Sequence, residues 1–255
     1  MVAVPTALVV CTVMPPTPVL VSWSSGKDSA WALHTLRQAP DCYDVRGVFT
    51  TVTEHFERVS IHSTPIWALK EQVARLGVPL HLIPIPYPCS NLQYEAAMTS
   101  FLDRMRALPR HQTALTLAFG DLFLEDIRRY REDRLRGTGI APIFPIWGRD
   151  TTVLAEEMIA SGLRAIVTAV NPRRAPAHVA GRWFDRELLA ALPASVDPLG
   201  ENGEFHTCVV DGPMFTSPVD ARPGAIVRRE IQTHSDEQDA RPDPTYIYAE
   251  VVPMT

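Results

Sequence analysis

Six consecutive residues, Ser24-Ser25-Gly26-Lys27-Asp28-Ser29, bring together three hydroxyls, a flexible glycine, one ammonium and one carboxylate. Val19 to Trp23 before them reads as a buried strand, and the spacing of Ala30, Leu33 and Leu36 after them reads as a helix over Asp28 to Gln38. A turn of small polar residues between such elements aims backbone N–H groups, hydroxyls and a lysine at one point, which suits phosphate. Ser24 and Ser29 can donate to phosphoryl oxygens, Gly26 allows close backbone approach, and Lys27 can stabilise charge on a leaving pyrophosphate. Asp28 would be repelled by bare phosphate, so it implies Mg²⁺, a cap on the helix, or both. The plain alternative is a well-capped turn.

Other residues with chemical potential lie at the ends of later elements. Gly120-Asp121 follows a strand at Leu115 to Phe119; Asp121 is placed to hold Mg²⁺ or a ribose, or to cap the next helix. Glu125, one turn on, is a second acid or an ordinary first-turn glutamate. Thr50 and Thr51 end a strand where they could meet ribose or adenine, and Glu54, His55 and Phe56 follow, placed to close over a site. Cys89 precedes Ser90-Asn91 at a helix start; it is a nucleophile or an apolar filler, and Asn91 is a cap that could also touch nucleotide. Trp147 is a core residue or a wall for a second substrate. Glu201 and Glu204 flank Gly203, and Asp211 precedes Gly212-Pro213; taken bare, such acids are surface residues. His206 is a weaker candidate for proton transfer, on the ground that an unperturbed imidazole has a pKa of about 6.5.

These residues need a scaffold, and the hydrophobic pattern supplies one. Strands are expected at Val19–Trp23, Tyr43–Thr50, Leu80–Ile85 and Leu115–Phe119, alternating with helices at Asp28–Gln38, Pro65–Leu76, Asn91–Leu108 and Leu122–Leu135. That alternation predicts an α/β fold with a Rossmann-like parallel sheet and ligands beyond the carboxyl ends of its strands. After Gly137 the texture changes. A helix at Thr151–Ser161 capped by Thr151, strands at Arg164–Val170 and Cys208–Val210, and antiparallel edge strands at Ala225–Arg229 and Tyr246–Val252 predict a smaller C-terminal α+β domain. His234–Pro244 reads as a polar loop. The expected division is an N-terminal extension over 1–18, a nucleotide-binding domain over 19–138 and a second domain over 139–255.

Composition narrows the classes. With 46% hydrophobic and 21% charged residues in 255, the chain can bury a full core. A formal charge of -5 gives no global field for nucleic acid, leaving only a local patch at Arg173, Arg174, Arg182 and Arg186, which also reads as a solvated loop. Four dispersed cysteines suggest neither a zinc knuckle nor a disulfide scaffold and fit a reducing, cytoplasmic setting. The apolar start is expected to be neither a signal peptide nor a membrane span.

The hexapeptide lacks the Gly-x-Gly-x-x-Gly of dinucleotide folds and the longer Walker loop. It resembles instead the PP-loop of the ATP pyrophosphatases, with Ser25 where that superfamily carries glycine. Such enzymes cleave ATP between the α and β phosphates. Four blocks together, Ser22 to Ser29, Gly120-Asp121-Leu122, Pro145-Ile146-Trp147-Gly148, and Gly203-Glu204-Phe205-His206-Thr207 with Val210 to Phe215, resemble the diphthine–ammonia ligase family, which completes diphthamide on elongation factor 2. Pro86 to Glu95 and Glu204 to Thr207 look more like its bacterial branch, whose acceptor is open. The resemblance implies a PP-loop domain of the adenine nucleotide alpha hydrolase type, ATP and Mg²⁺ as cofactors, and adenylation of a carboxylate for attack by ammonia. It places nucleotide on Ser24, Ser25, Gly26, Lys27, Asp28, Ser29, Thr50, Gly120 and Asp121, and metal on Asp28 and Asp121. The acceptor, a protein side chain or a small carboxylate, falls to Asn91, Trp147, Gly148, Glu201, Glu204, His206 and Asp211. Lys27, Asp28 and Glu204 are the expected catalytic residues, with Glu204 binding an amine, ammonium or metal. A homodimer is allowed, and a membrane or nucleic acid partner is not expected. The alternatives are a related pyrophosphatase modifying a small metabolite or RNA, and a non-catalytic nucleotide sensor.

Overall fold

The computed structural model describes residues 15–53, 58–59, 64–107, 116–230 and 245–254. The sequence expectations for the start of the N-terminal extension, for Glu54, His55 and Phe56, for Leu115 and for His234–Pro244 lie outside those residues.

The first sheet takes its parallel strands from β1 (Thr17–Ser22), β2 (Tyr43–Thr53), β4 (Leu80–Ile85), β5 (Thr116–Ala118) and β6 (Ala141–Ile143). They lie in the order β4-β2-β1-β5-β6, and the two-residue β3 (Arg58–Val59) pairs antiparallel with the end of β2. As the central strand, β1 is buried on both faces. Val19 and Val21 face α1 (Lys27–Arg37) and α2 (Ile66–Leu76). Leu20 faces the opposite layer, where Phe101, Leu102 and Met105 of α3 (Asn91–Ala107) and Leu135 of α4 (Glu125–Leu135) pack. This is the Rossmann-like sheet that the alternation predicts.

The second sheet is antiparallel, in the order β8-β7-β10-β9, from β7 (Arg164–Val170), β8 (Phe205–Asp211), β9 (Ala221–Glu230) and β10 (Thr245–Pro253). The fold is therefore a parallel PP-loop-type sheet plus a smaller antiparallel α+β unit. Only one of the two late strands is an edge: β10 lies inside the sheet between β7 and β9. Strand β6, just after Gly137, still belongs to the first sheet.

Helix α1 joins the two units. Trp31, Leu33 and Leu36 share one core cluster with Val167, Val209 and Phe205 of the second sheet. A helix packed on two sides must be apolar over more than one stripe, and seven residues of α1 are buried, Lys27 among them. Leu33 and Leu36 each contribute about 1.5–3 kcal/mol by leaving water. Helix α5 (Thr151–Ala160) is capped by Asp150, whose side chain accepts from Val153 N, rather than by Thr151. The Thr151 hydroxyl instead donates to Asp197 Oδ2 at 2.7 Å.

Candidate functional site

The loop between β1 and α1 is shaped by groups outside it. Trp23 is fully buried, and its indole N–H donates to Gln72 Oε1 at 3.0 Å. Ser25 has φ of 69°, the left-handed region that a residue with a Cβ avoids. Its carbonyl accepts from Val209 N at 2.9 Å and from Gln72 Nε2 at 3.2 Å. Gly26 caps α1 without a side-chain bond, and the Lys27 amide donates to Thr207 Oγ1 at 3.1 Å. Ser24 and Ser29 hydroxyl oxygens lie 3.1 Å apart.

Two glycines admit this packing. A Cβ on Gly26 would come within 3.2 Å of the Thr207 carbonyl oxygen. One on Gly120 would lie 2.8–2.9 Å from the backbone of Asp28 and Ser29. The end of β5 and the middle of β8 thus close on the loop from two sides.

Lys27 is 1% exposed and does not project as a free ammonium. Its Nζ donates to Asp28 Oδ2 at 3.0 Å and to the Leu199 carbonyl, between the rings of Phe184 and Phe205. Burial raises the Asp28 pKa above the usual carboxylate range against the opposing pull of Lys27, and its Oδ1 has no hydrogen-bond partner.

The turn after α6 (Arg186–Ala191) approaches the same place. Glu204 is 3% exposed; its Oε1 accepts from Asp197 N and Asn202 Nδ2, both at 3.1 Å, while Oε2 is buried without a partner. Glu204 therefore shapes the turn that presents Leu199 to Lys27. Glu201 Oε1 accepts from Leu122 N at 2.8 Å, and burial together with the Asp28 charge pushes its pKa up to about 7. Gly148 N donates to Leu122 O at 2.7 Å. Two blocks singled out in the sequence thus meet Glu201 at one backbone unit, Leu122.

Other expected site residues lie differently. Both carboxylate oxygens of Asp121 are held by Arg131, at 2.6 and 3.1 Å, and Asp121 does not cap α4, which begins at Glu125 after Leu124. Thr50 is buried in β2, next to the Phe49 carbonyl that accepts from Trp23 N. Ser90, not Asn91, caps α3: its hydroxyl accepts from Gln93 N at 3.3 Å and the Gln93 side chain accepts from Ser90 N at 2.9 Å, a capping box. Asn91 is exposed. Burial raises the Cys89 pKa, which disfavours a thiolate nucleophile. Trp147 packs edge-on to Phe144 with the Arg128 guanidinium over its ring. His206 stacks on Tyr246, and burial with the Lys27 charge pushes its pKa down to about 4, so it is neutral near neutral pH. Asp211 holds the Gly212 amide at the far end of β8. Among the described residues no three of His, Cys, Asp and Glu form a metal-binding group.

Gln72 is the residue that the sequence reading passes over. A signal for it exists: it is a lone polar residue on the face of α2 that otherwise carries Ala68, Leu69, Val73 and Leu76. A cavity of about 190 Å³ lies between the first sheet and helices α3 and α4, lined by Ser22 at the end of β1, Phe49, Tyr94, Phe119 and Arg131.

Comparison with known proteins adds an independent finding on the second unit. Residues 150–234 match the family model described as Diphthamide synthase C-terminal domain. The chain is similar to diphthamide-synthesis proteins. A curated relative, the Diphthine--ammonia ligase of Schizosaccharomyces pombe, is 26% identical over 154 residues, which is 57% of this chain and 25% of that protein. The chain thus spans about a quarter of that relative's length. The matched residues carry the Asp197–Glu204 turn and β8, the parts that grip the loop from the C-terminal side.

Proposed function

We propose that this chain is an ATP-dependent, AMP- and pyrophosphate-forming ligase of the diphthine–ammonia ligase-like kind, acting in the cytoplasm. The observation that carries this reading is the Ser24–Ser29 corner at the carboxyl end of a parallel sheet, held in place by β8 of the unit that matches a diphthamide synthase domain. The cavity that Ser22 borders at the end of β1, with Tyr94, Met98, Leu102 and Phe119 in its lining, offers apolar walls for a purine base.

In this reading a carboxylate oxygen of the acceptor attacks the α-phosphorus, and the bond to the leaving pyrophosphate breaks. Ammonia then adds to the activated acyl carbon, AMP departs with the oxygen, and the surplus proton leaves to a base or solvent. The chain supplies alignment and fixed charge rather than a covalent nucleophile. The Ser24 hydroxyl and the first-turn amides of Asp28 and Ser29 would meet the phosphates, the Lys27 amide being engaged by Thr207, while the Lys27 ammonium, anchored on Leu199 and Asp28, sets a positive charge under the first turn of α1. Mg²⁺ fits Asp28, whose Oδ1 has no partner, since one carboxylate plus phosphate oxygens is a common way of binding it; it would neutralise phosphate charge. Asp121 would first have to leave Arg131. Glu201, poised near neutrality, and Glu204 stand on the acceptor side with Trp147.

A non-catalytic nucleotide sensor is favoured by one observation, the engagement of the Lys27 ammonium within the protein. Turnover separates the two. With ATP, Mg²⁺, ammonium and a panel of carboxylate acceptors including diphthine-bearing elongation factor 2, the account expects acceptor-dependent AMP and pyrophosphate. Formation of ADP and phosphate, or nucleotide binding without turnover on every acceptor, contradicts it.

A further inference from the structure

The phosphate-facing corner depends on a side chain that is not part of it. Gln72 is fully buried in α2, and both ends of its amide are engaged: Oε1 accepts from Trp23 Nε1 at 3.0 Å, and Nε2 donates to Val209 O at 2.7 Å and Ser25 O at 3.2 Å. An indole N–H can only donate, so the amide orientation is fixed by Trp23 and the donor end must face Ser25 and Val209. A polar amide kept among Ala68, Leu69, Val73 and Leu76 is costly unless its bonds are made, which ties it to this arrangement. What it grips is the one non-glycine residue with positive φ among the described residues. The Ser25 hydroxyl is itself buried without a partner, so its own side chain does nothing to hold that conformation. The two donors on the Ser25 carbonyl do, one from β8 and one from Gln72.

We propose that Gln72 is a positioning residue that holds Ser25 in its left-handed conformation and so keeps the loop open to phosphate. The inference rests on the reading of the loop as a triphosphate site. Gln72 touches no reacting atom; it acts through Ser25 and through Trp23, which carries the end of β1 into the loop.

The test uses the full chain and two probes, a non-hydrolysable α,β-methylene ATP and adenosine, titrated calorimetrically against the parent, Gln72→Leu and the double variant Gln72→Leu/Ser25→Gly. Loss of the clamp is expected to weaken triphosphate binding about tenfold, the factor set by the left-handed penalty, with adenosine affinity unchanged. Glycine needs no clamp at positive φ, so the double variant is expected to recover most of the loss. Unchanged triphosphate affinity in Gln72→Leu, an equal fall for adenosine, or no recovery in the double variant overturns the proposal. If Gln72→Leu does not fold, Trp23→Phe carries the test, because it removes the donor that orients the amide, and the adenosine arm reads any general cost of the lost ring volume. A fall of about threefold for triphosphate alone supports the proposal, and no fall overturns it. A parent that binds adenosine but no triphosphate overturns the triphosphate reading of the loop, a result distinct from any difference between variants.

Discussion

The Ser24–Ser29 corner and the Asp197–Glu204 turn approach each other across Lys27, yet they hold their shape by different means. The corner is made of backbone groups that find neutral partners: the Ser25 carbonyl on Val209 and Gln72, and the Lys27 amide on Thr207. The turn is organised around charge. Glu204 is buried with one oxygen accepting twice and the other without a partner, and Glu201 is driven up to about 7. A site for phosphate has to be in place before the anion arrives, which fixed dipoles accomplish at little cost. Groups that can change state suit proton exchange, and Glu201, with its raised pKa, lies on the segment matching the diphthamide synthase domain.

Breaking the corner is expected to have the largest effect. Gly120→Ala sets a Cβ 2.8 Å from the Asp28 backbone carbonyl carbon, where neither chain can yield by rotating a side chain. The variant is expected to lose about 3 kcal/mol in urea unfolding, and with it triphosphate binding. An alanine variant that unfolds with the parent would show that the corner has slack. Next comes the turn. Glu204→Ala leaves Asp197 N and Asn202 Nδ2 without their acceptor, for a loss of about 2 kcal/mol, whereas Glu204→Gln keeps an acceptor oxygen and most of the stability. Turnover that is lost in Glu204→Gln while unfolding is unchanged would assign the charge itself a catalytic part.

The pH dependence sharpens the contrast. Unfolded, Glu201 ionises near 4.5; folded, it ionises at about 7. Between those values the native chain keeps a proton that the unfolded chain has lost, so stability falls as pH rises through this window. Glu201→Gln removes that slope. It is expected to be more stable than the parent at pH 8 by on the order of 1 kcal/mol after solvent screening, with the gap closing toward pH 4. His206 works in the opposite direction. Its folded pKa of about 4 lies below the usual 6.5, so stability is lost as pH falls between them, and His206→Gln flattens that limb. Unfolding measured across pH 4–8 for both variants checks the two signs together.

Ser25→Gly is expected to have the smallest effect, a gain under about 1 kcal/mol. It relieves a left-handed residue and a buried hydroxyl without a partner, offset by the greater freedom of unfolded glycine. A lowered melting temperature would mean that the Ser25 hydroxyl is held by something other than the contacts described.

The legibility of these two regions differs for physical reasons. The strands could be read from alternating apolar runs because each is local; Leu80–Ile85 of the first sheet and Arg164–Val170 of the second agree with the observed strands residue for residue. Burial of β10 inside the second sheet was not legible, because a short alternating run reads alike at an edge and in the middle when its neighbours come from distant sequence. In the site, the small polar residues of the loop advertise themselves, since few other roles explain that spacing. Asp121 did not advertise its engagement by Arg131, ten residues along, and Lys27 gave no sign of turning inward to Leu199. Gln72 was hidden because the meaning of one buried amide comes from three partners in two other segments, the β1–α1 loop and β8.

The central claim is that the Ser24–Ser29 corner holds the phosphates of ATP. A crystal of the full chain with α,β-methylene ATP and Mg²⁺ tests it most directly. The account predicts phosphoryl oxygens against the amides and hydroxyls of residues 24–29, with the base toward Phe49 and Phe119. Phosphates bound elsewhere, with the corner closed on its own side chains, would contradict it.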